Sequence, residues 1–154
     1  MAYVKNDPVN LRDWTGTGAV WVHCNGYPIE TRFGTLPLGH AGAAIVDEST
    51  GATEYFEFGR YGGDQNGRVR SRPVKRLELN EHGFPTRESL DEFEKDVERP
   101  DGVCKGQDAT VQFNIGRSSE KAREFVKNFS KNHEPYHWFF NNCKTFASEV
   151  AFGE

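Results

Sequence analysis

Residues 39 to 47 read Gly-His-Ala-Gly-Ala-Ala-Ile-Val-Asp, a strand pattern with almost no side-chain bulk until its end. So thin a strand constrains its neighbours, because whatever packs on it must come in close. On a strand, His40, Gly42 and Ala44 share one face, so a helix laid there would bring its first residue near the imidazole. The clearance around His40 marks it as a candidate site group rather than a surface polar residue.

The rest of the chain supplies partners for that strand. Residues 19 to 24, Ala-Val-Trp-Val-His-Cys, form a strand pattern ended by Asn25-Gly26. Thr53 to Gly59 forms another, preceded by the polar turn Glu48-Ser49-Thr50-Gly51. Residues 1 to 18 are polar and turn-rich, and residues 27 to 38 read as a connecting loop. Gly62, Gly63 and Gly67 mark a further loop, followed by a basic extended stretch, Arg68 to Leu79.

Helical spacing takes over later. Leu90, Phe93 and Val97 recur at helical intervals between Thr86 and Glu98, with Thr86 or Ser89 as cap and Pro100 beyond the end. Ala109 to Ile115 alternates as a strand. Ser118 or Ser119 then caps a helix striped by Ala122, Phe125, Val126 and Phe129. In the last segment, Cys143 to Phe152, Cys143, Phe146, Ala147 and Val150 fall on one face. This order predicts an α+β fold, an antiparallel sheet with helices packed on one side, with residues 1 to 154 as one domain.

Composition narrows the function. A formal net charge of -4 argues against a general nucleic-acid binder. No run approaches a membrane span, and Met1 to Asn10 lacks a signal peptide's apolar core, so a chain made without a cleaved leader is expected. Cys24, Cys104 and Cys143 form no CxxC pair, so neither a disulfide scaffold nor a metal cluster is expected. His23 and Cys24, adjacent on a strand, point to opposite faces and make a poor chelate. No cofactor is expected.

Cys143 and His40 are the chemically interesting pair. A thiol becomes a nucleophile as a thiolate, which a helix N-terminus and a neighbouring imidazole both favour. Asn141 or Asn142 caps the last helix, placing Cys143 in its first turn, where free backbone N–H groups could also hold an oxyanion. By itself Cys143 reads first as a core cysteine, since it shares a face with Phe146 and Val150; His40 reverses that order. A third polar group usually orients the histidine. Glu57 and Glu54 fall on opposite faces of their strand, so one of them can face His40. Glu57 is preferred, with Glu54 as the alternative.

His40 heading a small-residue strand, a polar residue on the next strand, and Asn142-Cys143-Lys144-Thr145-Phe146 near the end resemble the circularly permuted NlpC/P60 proteins. That papain-like superfamily includes cell-wall amidases, lecithin:retinol acyltransferase-like enzymes and PPPDE isopeptidases. The resemblance covers roughly residues 39 to 59 and 140 to 152. It implies Cys143 as nucleophile, His40 as base and Glu57 as orienting residue in a cysteine amidase. The implied substrate is a peptide bond in bacterial peptidoglycan, as in the amidase effectors that bacteria inject through type VI secretion. Such a protein is made in the cytoplasm, acts in a target cell's periplasm, and has a cognate immunity protein as a candidate partner. The alternatives are a lipid acyltransferase, an isopeptidase, or a binding domain without chemistry. Lys144-Thr145 stands where the acyltransferase relatives read Glu-His, which counts against lipid acyl transfer.

Asn142, Tyr55, Arg60, Tyr61 and Trp138 are the candidate substrate-facing residues. Tyr55 shares the Glu57 face, Arg60 and Tyr61 follow the third strand, and Trp138 belongs to the Trp-Phe-Phe run before Cys143. Arg68, Arg70 and Arg72 would line one face of a strand. With Lys75 and Arg76 they read as a grip on an anionic substrate, as a charged edge strand that resists aggregation, or as a partner for the acidic helix around Asp91 to Glu98.

Overall fold

The computed structural model describes residues 17–31, 34–36, 39–47, 50–61, 64–137 and 142–153. Residues 1 to 16, Glu48-Ser49 of the expected turn, and the Gly62-Gly63 pair fall outside this set. A five-stranded antiparallel sheet forms the centre, in the order β6-β5-β4-β1-β7. Its strands are β1 (Thr17–Cys24), β4 (His40–Val46), β5 (Thr53–Gly59), β6 (Arg68–Arg72) and β7 (Ala109–Ser118). The segment expected to be a plain loop contains a small hairpin, β2 (Ile29–Thr31) with β3 (Gly34–Leu36).

Three helices are among the described residues: α1 (Arg87–Glu98), α2 (Ser119–Lys131) and α3 (Cys143–Phe152). Each begins at a side chain that accepts backbone N–H groups left over at a helix start. Thr86 caps α1, Ser118 caps α2, and Asn142 caps α3 in a reciprocal capping box with Thr145.

Alternation along the strands divides the core in two. Val20, Val22, Ala44, Val46, Tyr55 and Phe113 pack with Phe93 and Val97 of α1. Ala19, Ala41, Ala43, Ile45 and Phe58 pack on the opposite face with Ala122 and Val126 of α2 and Phe146, Ala147 and Val150 of α3. The sheet is thus α+β and papain-like, with α2 and α3 together on one face and α1 on the other.

Two expectations are corrected here. Helix α3 rests on the Ala41–Ala43–Ile45 face of β4, not on the face of His40 and Gly42. The face of His40 is filled from the neighbouring strand: a Cβ built on Gly42 would come within 2.1 Å of the Tyr55 hydroxyl. Alanine is small enough for α3, and glycine is needed for Tyr55. The second correction is a disulfide between Cys24 and Cys104, 80 residues apart. Cys24 ends β1, and Cys104 lies in the turn after α1, where its N–H donates to the Val97 carbonyl and brings the sulfur beneath the sheet. Cys143 is the free cysteine.

Candidate active site

His40 is the first residue of β4, and Cys143 is the first residue of α3. With α3 lying along β4, the helix start meets the strand start at one end of the sheet. Both side chains are 5% exposed. The Cys143 thiol is hydrogen-bonded to the His40 imidazole and accepts from the backbone N–H of Ala41. Burial alone would raise the thiol's pKa, but the bond and charge of His40, the Ala41 N–H and the charge of Lys144 bring it below the ordinary value.

The far side of the imidazole meets Glu57. His40 Nε2 donates to Glu57 Oε1 at 3.0 Å. Burial opposes a charge on His40, yet its bonds to Cys143 and Glu57 prevail and carry its pKa up from 6.5 to about 9. Glu57 is 1% exposed. Burial pushes its carboxyl up, but His40 and then Arg70 hold it below the ordinary value. The three groups form a thiol–imidazole–carboxylate line in which the shifts of Cys143 and His40 both run toward the ion pair.

Register explains why Glu57 rather than Glu54 stands here. Glu57 pairs with Gly42, two residues along from His40 on the same face. Glu54 pairs with Ile45, on the opposite face, and meets Arg123 of α2 at 3.4 Å.

The five candidate substrate-facing residues separate. Tyr61 is half-buried, and its hydroxyl lies 3.2 Å from His40 Nε2. Its ring packs over Gly59, where a Cβ would approach it to 2.8 Å. Arg60 is exposed beside the site, donating to the Tyr136 carbonyl and lying 4.8 Å above that residue's ring. The Asn142 side chain is taken up by capping, accepting from the N–H groups of Lys144 and Thr145. Tyr55 is fully buried and offers no surface to a ligand. Trp138 lies outside the described residues.

Two further groups reach the centre that the sequence reading did not select, and a third, the arginines of the basic stretch, was read only as an anion grip, a charged edge or a partner of the acidic helix. The Tyr27 ring lies 5.1 Å from that of His40 and comes from a segment with no distinguishing pattern. The Tyr136 hydroxyl accepts from the backbone N–H of Cys143, and burial lifts its pKa to about 12. Arg70 bonds Glu57 Oε2 through Nε at 2.5 Å, with Arg72 Nη1 at 3.8 Å. The alternation of Arg68, Arg70 and Arg72 was its available signal. Lys75, farther along, meets Glu92 of α1 at 3.6 Å, so the basic stretch also partners the acidic helix.

Among the described residues no three His, Cys, Asp or Glu side chains are grouped to hold a metal ion. No helix described is long and apolar enough to cross a membrane. The arrangement suits proton transfer and nucleophilic attack by sulfur.

Comparison with known proteins adds two findings. Residues 28–153 match the model of a family described as type VI secretion system effector, TseH-like. The crystal structure of a type VI secretion system effector, TseH, is similar, with a TM-score of 0.69 and 25% sequence identity, covering 89% of this chain and 75% of that one. No curated protein matches.

Proposed function

The chain belongs to the TseH-like family of type VI secretion system effectors, and from that premise we propose that it is a cysteine amidase cutting an amide bond of bacterial peptidoglycan. The observation that carries this reading is the Cys143 thiol bonded to His40, with Glu57 on the other side of the ring. A domain that only binds has no use for a thiol aligned in this way.

The reaction follows from the geometry. The Cys143 thiolate attacks the amide carbonyl carbon, and negative charge moves to the carbonyl oxygen. The Tyr136 hydroxyl, which accepts from the Cys143 N–H, has its own proton to donate to that oxyanion. Protonated His40 donates to the leaving nitrogen as the C–N bond breaks, leaving a thioester on Cys143. Water, losing a proton to His40, then attacks the thioester, and the C–S bond breaks to release a carboxylic acid and the Cys143 thiolate beside protonated His40. Glu57 keeps the imidazole oriented throughout and stabilises its charged form.

A cell-wall substrate puts this work in the periplasm of a target cell. The Cys24–Cys104 disulfide is of a kind that persists in such oxidising compartments. A cognate immunity protein covering the Cys143–His40 mouth would protect the producer.

Digestion of purified sacculi, followed by mass spectrometry of the fragments, tests the reading, with Cys143→Ala as control. New peptide ends that depend on Cys143 are expected. Unchanged muropeptides would overturn the substrate assignment and move the chemistry to lipid or protein acyl groups.

A further inference from the structure

We propose that Arg70 is a positioning residue for the catalytic pair, acting through Glu57 to fix His40 against Cys143. The inference rests on the reading of Cys143 and His40 as nucleophile and base. It adds a residue on the edge strand β6 that touches neither substrate nor thiol.

The two oxygens of Glu57 are used differently. Oε1 accepts from His40 Nε2, while Oε2 accepts from Arg70 Nε. A carboxylate held by one oxygen turns freely about its last side-chain bond, because that torsion has broad wells. Held at both oxygens, it presents Oε1 in one direction, and the imidazole bonded to it follows. Register makes this possible: Gly42, Glu57 and Arg70 face one another on three neighbouring strands.

Arg70 reaches His40 by a second route. Its guanidinium lies 3.6 Å from the centre of the Tyr61 ring, and the Tyr61 hydroxyl is at His40 Nε2. His40, Glu57, Arg70 and Tyr61 therefore close a ring of contacts. A flat guanidinium can bond a carboxylate and lie on an aromatic face at once; an ammonium group supplies only a point charge. Arg72 stands farther from the carboxylate, at 3.8 Å, and contributes charge rather than direction. Arg68 occupies the same face of β6 opposite Gly59, which has no acceptor side chain.

The groups facing Glu57 are His40 from β4, Tyr55 from β5, Tyr61 after it, and Arg70 and Arg72 from β6. Cys143 of α3 lies beyond His40. Removing the Arg70 charge leaves Glu57 and Cys143 easier to protonate, so the pair should come apart at higher pH.

The test is the pH dependence of Cys143 alkylation by iodoacetamide, which needs no substrate, with melting temperatures measured alongside. Arg70→Gln is expected to move the acid limb upward by at least about half a pH unit. Arg70→Lys should shift it less than half as far, and Arg68→Gln should coincide with the unmodified protein. An Arg70→Gln limb that does not move overturns the proposal. So does a uniform loss of reactivity at every pH, or an equal shift in Arg68→Gln. If Arg70→Gln fails to fold, Arg70→Met, which likewise removes the charge and the bond to Glu57, is read in its place, and an unmoved limb there overturns the proposal equally. An unmodified protein whose thiol is slow and indifferent to His40→Ala sinks the catalytic reading itself, a result separate from all of these.

Discussion

Cys24 lies directly across the sheet from His40, as its register partner between β1 and β4. The disulfide thus anchors the strand end beside the candidate base, and the chain continues from Cys24 to Tyr27, whose ring packs on His40. Replacing Cys24 and Cys104 by Ala releases a closure spanning 80 residues. Loop entropy sets the loss at about 4 kcal/mol. Thermal unfolding with and without reductant should show a lower melting temperature for the reduced and Ala forms alike; equal melting temperatures would remove the disulfide's structural role.

Gly42 and Tyr55 set a second expectation. The Tyr55 hydroxyl fills the space a side chain at 42 would need. Gly42→Ala should therefore cost roughly 1–3 kcal/mol by overpacking. Among the described residues, the same hydroxyl is buried and makes no well-formed hydrogen bond, facing the Glu57 carboxylate without the geometry of one. Tyr55→Phe should accordingly leave denaturant stability unchanged or raise it. Adding Tyr55→Phe to Gly42→Ala should recover part of the stability that Gly42→Ala loses alone.

Glu57→Gln keeps the shape and removes the charge. Arg70 and Arg72 then face a neutral amide, and His40 loses the anion that holds its proton. Turnover on the substrate should fall by about 10²-fold. Glu54→Gln, at the exposed pair with Arg123, should change it little. Rate measurements on both variants discriminate the two glutamates.

Stability should depend on pH. His40 holds its proton to about 9 in the folded state against 6.5 unfolded, so its stabilisation is complete below 6.5 and disappears as pH rises through about 9. Glu57 is lowered from 4.5, so its stabilisation is present above 4.5 and disappears as pH falls through the lowered value. Cys143, lowered from 9.0, gains stabilisation as pH rises toward that value and works against the His40 trend, so the clear fall in melting temperature is the acid one, below 4.5. Under the proposed reaction, rate should be lost on the alkaline side as His40 gives up the proton that the leaving amine requires.

Much of this fold is legible in the sequence because its elements each have one or two clear faces. Thr53 to Gly59 and Cys143 to Phe152 begin and end where alternation and helical spacing put them. Asn142 caps because its short side chain reaches the free N–H groups of Lys144 and Thr145. The missing information was relational. Nothing local says that Cys24 meets Cys104, since a distant pair leaves no spacing signature. Which face of β4 receives α3 was misread because both faces are small; only the size of Tyr55 on the next strand decides it. Sequence alone puts Glu54 and Glu57 on opposite faces, while strand register supplies Gly42 and Arg70 as the neighbours of Glu57. Tyr27 and Tyr136 come from irregular segments that carry no periodicity.

The central claim is that Cys143 is a thiolate because of His40. With Cys24 and Cys104 joined, Cys143 is the thiol available to label. Its alkylation by iodoacetamide at mildly acidic pH should be fast, and His40→Ala should slow it by at least roughly tenfold. A thiol that reacts slowly, and equally so without His40, would contradict the account.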